Sequence, residues 1–220
     1  MKLLIYNTLL PVLFVLYLPA FLYKLAKRGN YKGHFGERFG FYDANQKQKL
    51  RDLDRPVWIH AVSVGEVVAA AGFIRTWQEM CPGQSFVLST TTTTGHATAT
   101  KKLPPDVPLM YAPLDFLFSV RRALRLIQPK MLVIFEVELW PNMITETRRL
   151  GGAVALVNGR MSDRSARGYA RHRWFFGDIM KNVSVYCVQS ESDAERIRQV
   201  IGDAVPVHVC NTMKFDQVPD

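Results

Sequence analysis

Cysteine is scarce in this chain and acidic side chains are in deficit. Cys81, Cys187 and Cys210 are the only three cysteines in 220 residues. They are odd in number, far apart and form no CxxC pair, which excludes a disulfide framework and a cysteine-based zinc site. Buried free thiols in a reducing compartment are the expectation. Five histidines are scattered, with no HxxxH or His-Cys cluster, so no bound metal is expected. A Gly-Lys-Ser/Thr phosphate loop is missing, as is a G-x-G-x-x-G turn after a strand. These absences remove the P-loop and nicotinamide-binding classes. His60 and Ser63 lie near one another without a G-x-S-x-G elbow, so a hydrolase nucleophile pair is not supported either.

Lys and Arg number 28 against 19 Asp and Glu, a formal net charge of +9. That surplus suits nucleic acid, anionic lipid or a phosphorylated substrate. No recognised nucleic-acid module accompanies it, and nucleic acid is not an expected partner. At 48% hydrophobic residues the chain carries a sizeable core.

The apolar content is unevenly spread. Residues 3–23 contain no charge, long enough at helical rise to reach across a hydrocarbon layer of roughly 30 Å. Lys24, Lys27, Arg28, Lys32 and Arg38 follow, which by the positive-inside rule places the remainder in the cytoplasm. The expected organisation is a membrane anchor over 1–28, a basic juxtamembrane connector over 29–55, and an α/β domain over 56–220.

From residue 56 onward, short β-rich runs alternate with helical periodicity. The runs are 57–61, 85–91, 107–112, 131–136, 153–158, 183–189 and 205–210. Most are continuously apolar, as strands buried on both faces read. Helices are expected at 64–80, 116–127, 141–150 and 191–201. Repeated β-α units imply a Rossmann-like, mostly parallel sheet covered by helices, with ligands beyond the carboxyl ends of the strands. The residues just after each strand therefore carry the information.

After the first run, Ser63 and Glu66 match the S-x-x-E capping box, with Gly65 between them. After the second comes "TTTTTGHATAT", a hydroxyl-rich helix start that includes Thr94 and Gly95 and suits an anion. Asp115 is expected to cap the helix at 116–127, whose Arg121, Arg122 and Arg125 face solvent. Glu136 closes the fourth run and Glu138 follows. A carboxylate ending a buried strand is costly unless paired or used. After the fifth run, "NGRMSDRSARGYARHR" carries Arg160, Ser162, Arg164 and further arginines, a density that favours phosphate contacts.

Taken in order, "GERFGFY", "HAVSVGE", "TTTTTG", "YAPLD", "FEVELWPN", "NGRMSDRSARGY" and "NTMKFD" resemble the 3-deoxy-D-manno-octulosonic acid (Kdo) transferases of lipid A biosynthesis. "HAVSVGE" and "ELWPN" are the most specific, and the resemblance spans nearly the whole chain. It implies a GT-B glycosyltransferase of two Rossmann-like halves, here the acceptor-binding half with the C-terminal donor-binding domain absent. The implied reaction moves Kdo from CMP-Kdo to a phosphorylated lipid A precursor, with inversion and with no metal or other cofactor. The implied setting is the bacterial inner membrane, on a single-pass anchor, beside an anionic membrane surface. Glu66 is implied as proton acceptor, Glu136 and Lys214 as transition-state stabilisers. Ser63, Gly65, Thr94, Gly95, Arg160, Ser162 and Arg164 are the expected substrate-binding residues. Departures from the family pattern fall at Thr93, Val137, Gly159 and Asn211. A non-catalytic membrane-attached module that binds phosphorylated glycolipid is the alternative reading.

Overall fold

The computed structural model describes residues 2–28 and 35–213, with the backbone alone at 17, 18 and 20–28. Helix α1 (Lys2–Arg28) is followed by a short 3-10 helix at Phe35–Phe39 and by α2 (Ala44–Arg51). The body then runs β1 (Val57–His60), α3 (Val64–Met80), β2 (Phe86–Thr90), α4 (Thr93–Lys102), β3 (Leu109–Tyr111), α5 (Leu117–Ile127), β4 (Met131–Phe135) and α6 (Pro141–Arg149). It finishes with β5 (Ala153–Gly159), α7 (Asp163–Arg171), α8 (Arg173–Met180), β6 (Val185–Val188), α9 (Glu191–Ile201) and β7 (Val207–Val209).

All pairings are parallel and the strand order is β3-β2-β1-β4-β5-β6-β7. The chain winds outward in one direction from β1, then crosses back to lay β4 on its other side. The sheet therefore reverses between β1 and β4, where a doubly wound fold opens its crevice. Alternate side chains of the central strands feed two cores. Val57, Ile59, Val133 and Phe135 pack with Val67, Ala70 and Ile74 of α3. Trp58, Leu132 and Ile134 face the opposite layer with Val120 and Leu124 of α5 and Met143 of α6. Burial on both faces is why the strands read as continuous apolar runs.

Several expectations change. Asp115 does not cap α5, whose first turn receives no side-chain cap. Its carboxylate instead accepts from the Asn142 and Met143 backbone N–H groups of α6 at 2.9 Å each. Pro141 opens α6 and Trp140 offers no cap, so a neighbouring loop supplies the acceptor. Arg121 is not merely solvated: its Nε donates to Glu146 at 2.7 Å. Cys81 and Cys210 are exposed and Cys187 half-buried, since Cys81 ends α3 and Cys210 follows the edge strand β7.

Of the segment 29–55, residues 29–34 lie outside the described residues. Beyond them Glu37, Arg38, Tyr42 and Leu50 are buried. Glu37 accepts from the Tyr111 N–H at 2.8 Å, extending the polar edge of β3. Among the described residues, no helix is long and apolar enough to cross a membrane. The apolar run at 3–23 lies within α1, whose first half packs sideways on the domain.

Candidate functional site at the β1–β4 crevice

Both implied catalytic glutamates follow the two strands that flank the reversal. Glu66 sits in the first turn of α3, after β1, and Glu136 directly follows β4. The capping box is fully formed. Ser63 Oγ accepts from the Glu66 N–H at 3.4 Å, and Glu66 reaches back to accept from Ser63 N–H at 3.1 Å and Val62 N–H at 2.8 Å. Its two oxygens are thus each held by a backbone donor, and the residue is 5% exposed. Gly65 stands beside it with open space where a Cβ would point.

The threonine loop closes against the same turn. Thr92 caps α4 by accepting from Gly95 N–H at 3.0 Å and donates to the Val62 carbonyl at 3.0 Å. One hydroxyl so fastens the start of α4 to the turn that leads into α3. A Cβ on Gly95 would come within 2.8 Å of Thr92 Oγ1 and 3.0 Å of Thr90 Oγ1, which explains the glycine. Thr94 is exposed on this start of α4.

On the β4 side the backbone is strained. Glu136 has φ +61°, a left-handed conformation rare for a residue with a long side chain. It redirects the chain out of the sheet toward Glu138 and Trp140. The Trp140 indole N–H donates to Glu138 at 3.0 Å. Burial pushes the Glu138 carboxyl up; the Trp140 hydrogen bond opposes this, and the nearby Glu66 and Glu136 charges add to the rise. The three carboxylates therefore share one electrostatic neighbourhood. Beneath them His60 and Trp140 meet edge to face, ring centroids 5.1 Å apart. His60 is fully buried, its Nδ1 is 3.0 Å from Ser89 Oγ, and its Nε2 has no hydrogen-bond partner. Burial lowers its pKa to about 4, only partly offset by Ser89, so the ring is neutral near pH 7.

The arginine segment opens on the β5 side. Asn158, at φ +52°, is buried and accepts through Oδ1 from Gln189 Nε2 at 3.1 Å and from Met213 N–H at 3.2 Å. It ties the ends of β5 and β6 to the chain after β7. Arg160 lines a cavity of about 460 Å³ with Gln189, Ser190, Asp193, Asn211 and Thr212. The glutamates do not line this cavity, so Arg160 belongs to a separate mouth of the same strand-end surface. Ser162 caps α7 and Arg164 is exposed on it. Lys214 lies outside the described residues. Among the described residues, no group of three or more His, Cys, Asp or Glu is arranged to hold a metal ion.

Sequence reasoning overlooked Asn158 and the tertiary cap from Asp115. The Asn-Gly pair at 158–159 was the available signal for the first, because asparagine tolerates a left-handed backbone. Nothing local signals the second.

This parallel sheet, with carboxylates at its reversal and arginines after β5, defines a Rossmann-like α/β domain with an acidic crevice. Residues 33–217 match the family model of 3-deoxy-D-manno-octulosonic-acid transferase (kdotransferase), and the chain belongs to that family. A 3-deoxy-D-manno-octulosonic acid transferase of Haemophilus influenzae is 29% identical over 190 residues, covering 86% of this chain and 44% of that protein. One from Chlamydophila psittaci is 28% identical over 211 residues, covering 96% and 48%. One from Rickettsia felis is 35% identical over 150 residues, covering 68% and 32%. The chain spans about half the length, or less, of these relatives.

Proposed function

We propose that this domain holds the lipid acceptor for Kdo transfer in lipopolysaccharide biosynthesis. The donor is CMP-Kdo, bound by a second domain, and the acceptor is a phosphorylated lipid A precursor. The observation that carries this reading is the convergence of Glu66 and Glu136 on the β1–β4 reversal, in a chain of the Kdo transferase family.

In the proposed reaction an acceptor hydroxyl attacks the anomeric carbon of Kdo and CMP departs. The hydroxyl must lose its proton as the bond forms, and a positioned carboxylate accelerates that step. Glu66 takes this proton. Its backbone donors fix the carboxylate, and each oxygen keeps a second lone pair for the incoming hydroxyl. The acceptor approaches across Gly65, where no side chain obstructs it. Glu136 and Lys214 act on the charge that develops at the reacting centre and the departing CMP. Ser63, Thr94 and Gly95 at the two helix starts, with Arg160, Ser162 and Arg164 after β5, meet the acceptor's sugar and phosphates. No metal or other cofactor takes part. An apolar N-terminal helix and a basic surface keep the domain at the cytoplasmic face of the inner membrane, where the acceptor resides.

The test is transfer of labelled Kdo from CMP-Kdo to a bisphosphorylated lipid A precursor by the polypeptide that carries this domain with a donor-binding domain. Glu66→Gln is expected to lower turnover by at least a hundredfold while precursor binding persists. Near-normal turnover in that variant reduces Glu66 to a helix cap. Binding of precursor with no turnover in the unsubstituted protein supports a non-catalytic glycolipid-binding module instead.

A further inference from the structure

The N-terminal helix is fastened along the domain by a polar stripe. Lys2 pairs with Asp178 at 2.5 Å, and Tyr6 donates to the buried Asp115 at 2.9 Å. Asn7 and Asn142 exchange amide hydrogen bonds at 3.1 and 2.6 Å. Phe14 then packs edge-on against Phe116 and Phe39, with centroids 5.2 and 6.2 Å apart. These residues recur on one helical face. The rest of this half of the helix carries Leu4, Ile5, Leu9, Val12, Leu13, Val15 and Leu16, all exposed. That is seven of the thirteen exposed large hydrophobics among the described residues.

Isolated exposed apolar residues need no explanation, but a contiguous face does. This one continues onto the domain. Phe118 stacks with Phe116 and Phe39 on one flank, and Trp174 meets Phe175, which touches Tyr6, on the other. Phe118 and Trp174 are themselves about half exposed, at 50% and 55%. Cations border both flanks. The Arg122 guanidinium lies 4.1 Å from the Phe41 ring and 5.7 Å from Phe118, and the exposed Arg171 and Arg173 shortly precede Trp174 in the chain.

A single crossing would place the start of α1 beyond a hydrocarbon layer of roughly 30 Å from the domain. Lys2 and Tyr6 are instead bonded to the same domain that holds Phe14 ~18 and ~12 Å further along the helix, at ~1.5 Å per residue. We propose that the first half of α1 does not cross the bilayer but lies along it, seating the domain side-on. The apolar face of Leu4 to Leu16, with Phe118 and Trp174, enters the acyl boundary. Arg122, Arg171 and Arg173 meet anionic headgroups. Cationic margins around an apolar, aromatic-edged face match an anionic lipid surface in charge and in depth. A second copy of this chain would set those cations against its own. The seating puts the crevice-side loop that begins α6 next to the membrane, because Asn142 and Asp115 serve both the latch and the α6 start.

The test uses the full chain and reads seating, not Kdo transfer. A short protease-cleavable tag precedes Met1, and inner-membrane vesicles of both orientations are prepared from bacteria making the protein. Cleavage of the tag from the same side as the domain is expected; cleavage from the opposite side overturns the proposal. In flotation with sealed phosphatidylethanolamine–phosphatidylglycerol vesicles, Leu9→Glu with Leu13→Glu should weaken partition at least tenfold. Leu150→Glu, an exposed apolar site elsewhere, should leave it unchanged. Equal partition of the Leu9/Leu13 variant, or equal partition onto neutral phosphatidylcholine vesicles, overturns the lipid assignment. Because charged variants can misfold, brominated lipid supplies a second readout. It should quench tryptophan emission in the unsubstituted protein, and Trp174→Phe should remove most of that quenching; quenching that survives Trp174→Phe overturns the seating. Lost turnover with intact seating counts against the Kdo reading alone.

Discussion

Two buried groups titrate in the same pH window with opposite effects on stability, and separating them tests the description of the core. His60 is lowered from 6.5 to about 4 by burial, so its neutral form is the folded one. Asp115 is raised from 3.8 to about 6, mainly by burial, against hydrogen bonds from Asn142, Met143 and Tyr6. Between about pH 4 and 6 the unfolded chain binds a proton at His60 that the folded one does not, so His60 makes stability fall on acidification. Over the same range the folded chain binds a proton at Asp115 that the unfolded one does not, so Asp115 makes stability rise on acidification. Each shift is worth ~3 kcal/mol over its whole range, at about 1.36 kcal/mol per pH unit. Together they nearly cancel. His60→Asn should therefore gain ~2 kcal/mol relative to the unsubstituted protein between about pH 6 and pH 4.5, and Asp115→Asn should lose a similar amount. Urea unfolding in a neutral detergent, followed by tryptophan fluorescence at each pH, measures both. Only the slopes matter, since both substitutions also remove hydrogen bonds at every pH. If the two variants track the unsubstituted protein in parallel, the two groups are not buried as described.

Glu66→Gln should lower stability as well as turnover, by ~1–2 kcal/mol, because one amide oxygen cannot replace two acceptors and the NH2 group then faces a backbone N–H; denaturant titration reads the difference. Glu136→Gly should leave stability equal or ~1 kcal/mol higher by releasing the left-handed backbone, while Kdo transfer falls. Gly95→Ala should cost ~1–3 kcal/mol as its Cβ meets Thr92 and Thr90, whereas Gly65→Ala, with open space around it, should be neutral or slightly stabilising; thermal unfolding of the pair distinguishes steric from helical effects.

Local physics wrote most of the fold into the sequence. The continuous apolar runs became the seven strands, and the periodic stretches 64–80 and 191–201 became α3 and α9 with those bounds. The S-x-x-E spacing was enough to read the capping box at Ser63 and Glu66, because both partners lie within one turn. What escaped depends on residues far apart in the chain. Asp115 is 27 positions from the Asn142 N–H it accepts from, and Glu37 is 74 positions from Tyr111. A polar, arginine-rich stretch gave no reason to expect α7 and α8, whose inner faces are completed by α9 and α6. The apolar run at 3–23 was read by length and charge alone, and neither registers that Tyr6 and Asn7 have partners on the domain.

In the proposed reaction Glu66 supplies structure and chemistry from the same atoms. A carboxylate in the first turn of a helix already satisfies donors that the helix leaves open. Holding it there freezes its rotamer, which is what a base requires if it is to meet a hydroxyl in one geometry. The cost is access, since Glu66 is 5% exposed, and the glycine beside it answers that cost by removing the nearest side chain. Glu136 follows the opposite logic. Its backbone is held in a left-handed conformation, which costs stability with a long side chain and favours glycine. A cap that doubles as a base, as proposed for Glu66, survives selection for folding; the strain at Glu136 is a cost that its proposed part in transfer would offset. If Glu136 were merely structural, Glu136→Gly would weaken the fold and spare transfer, the reverse of the outcome predicted above.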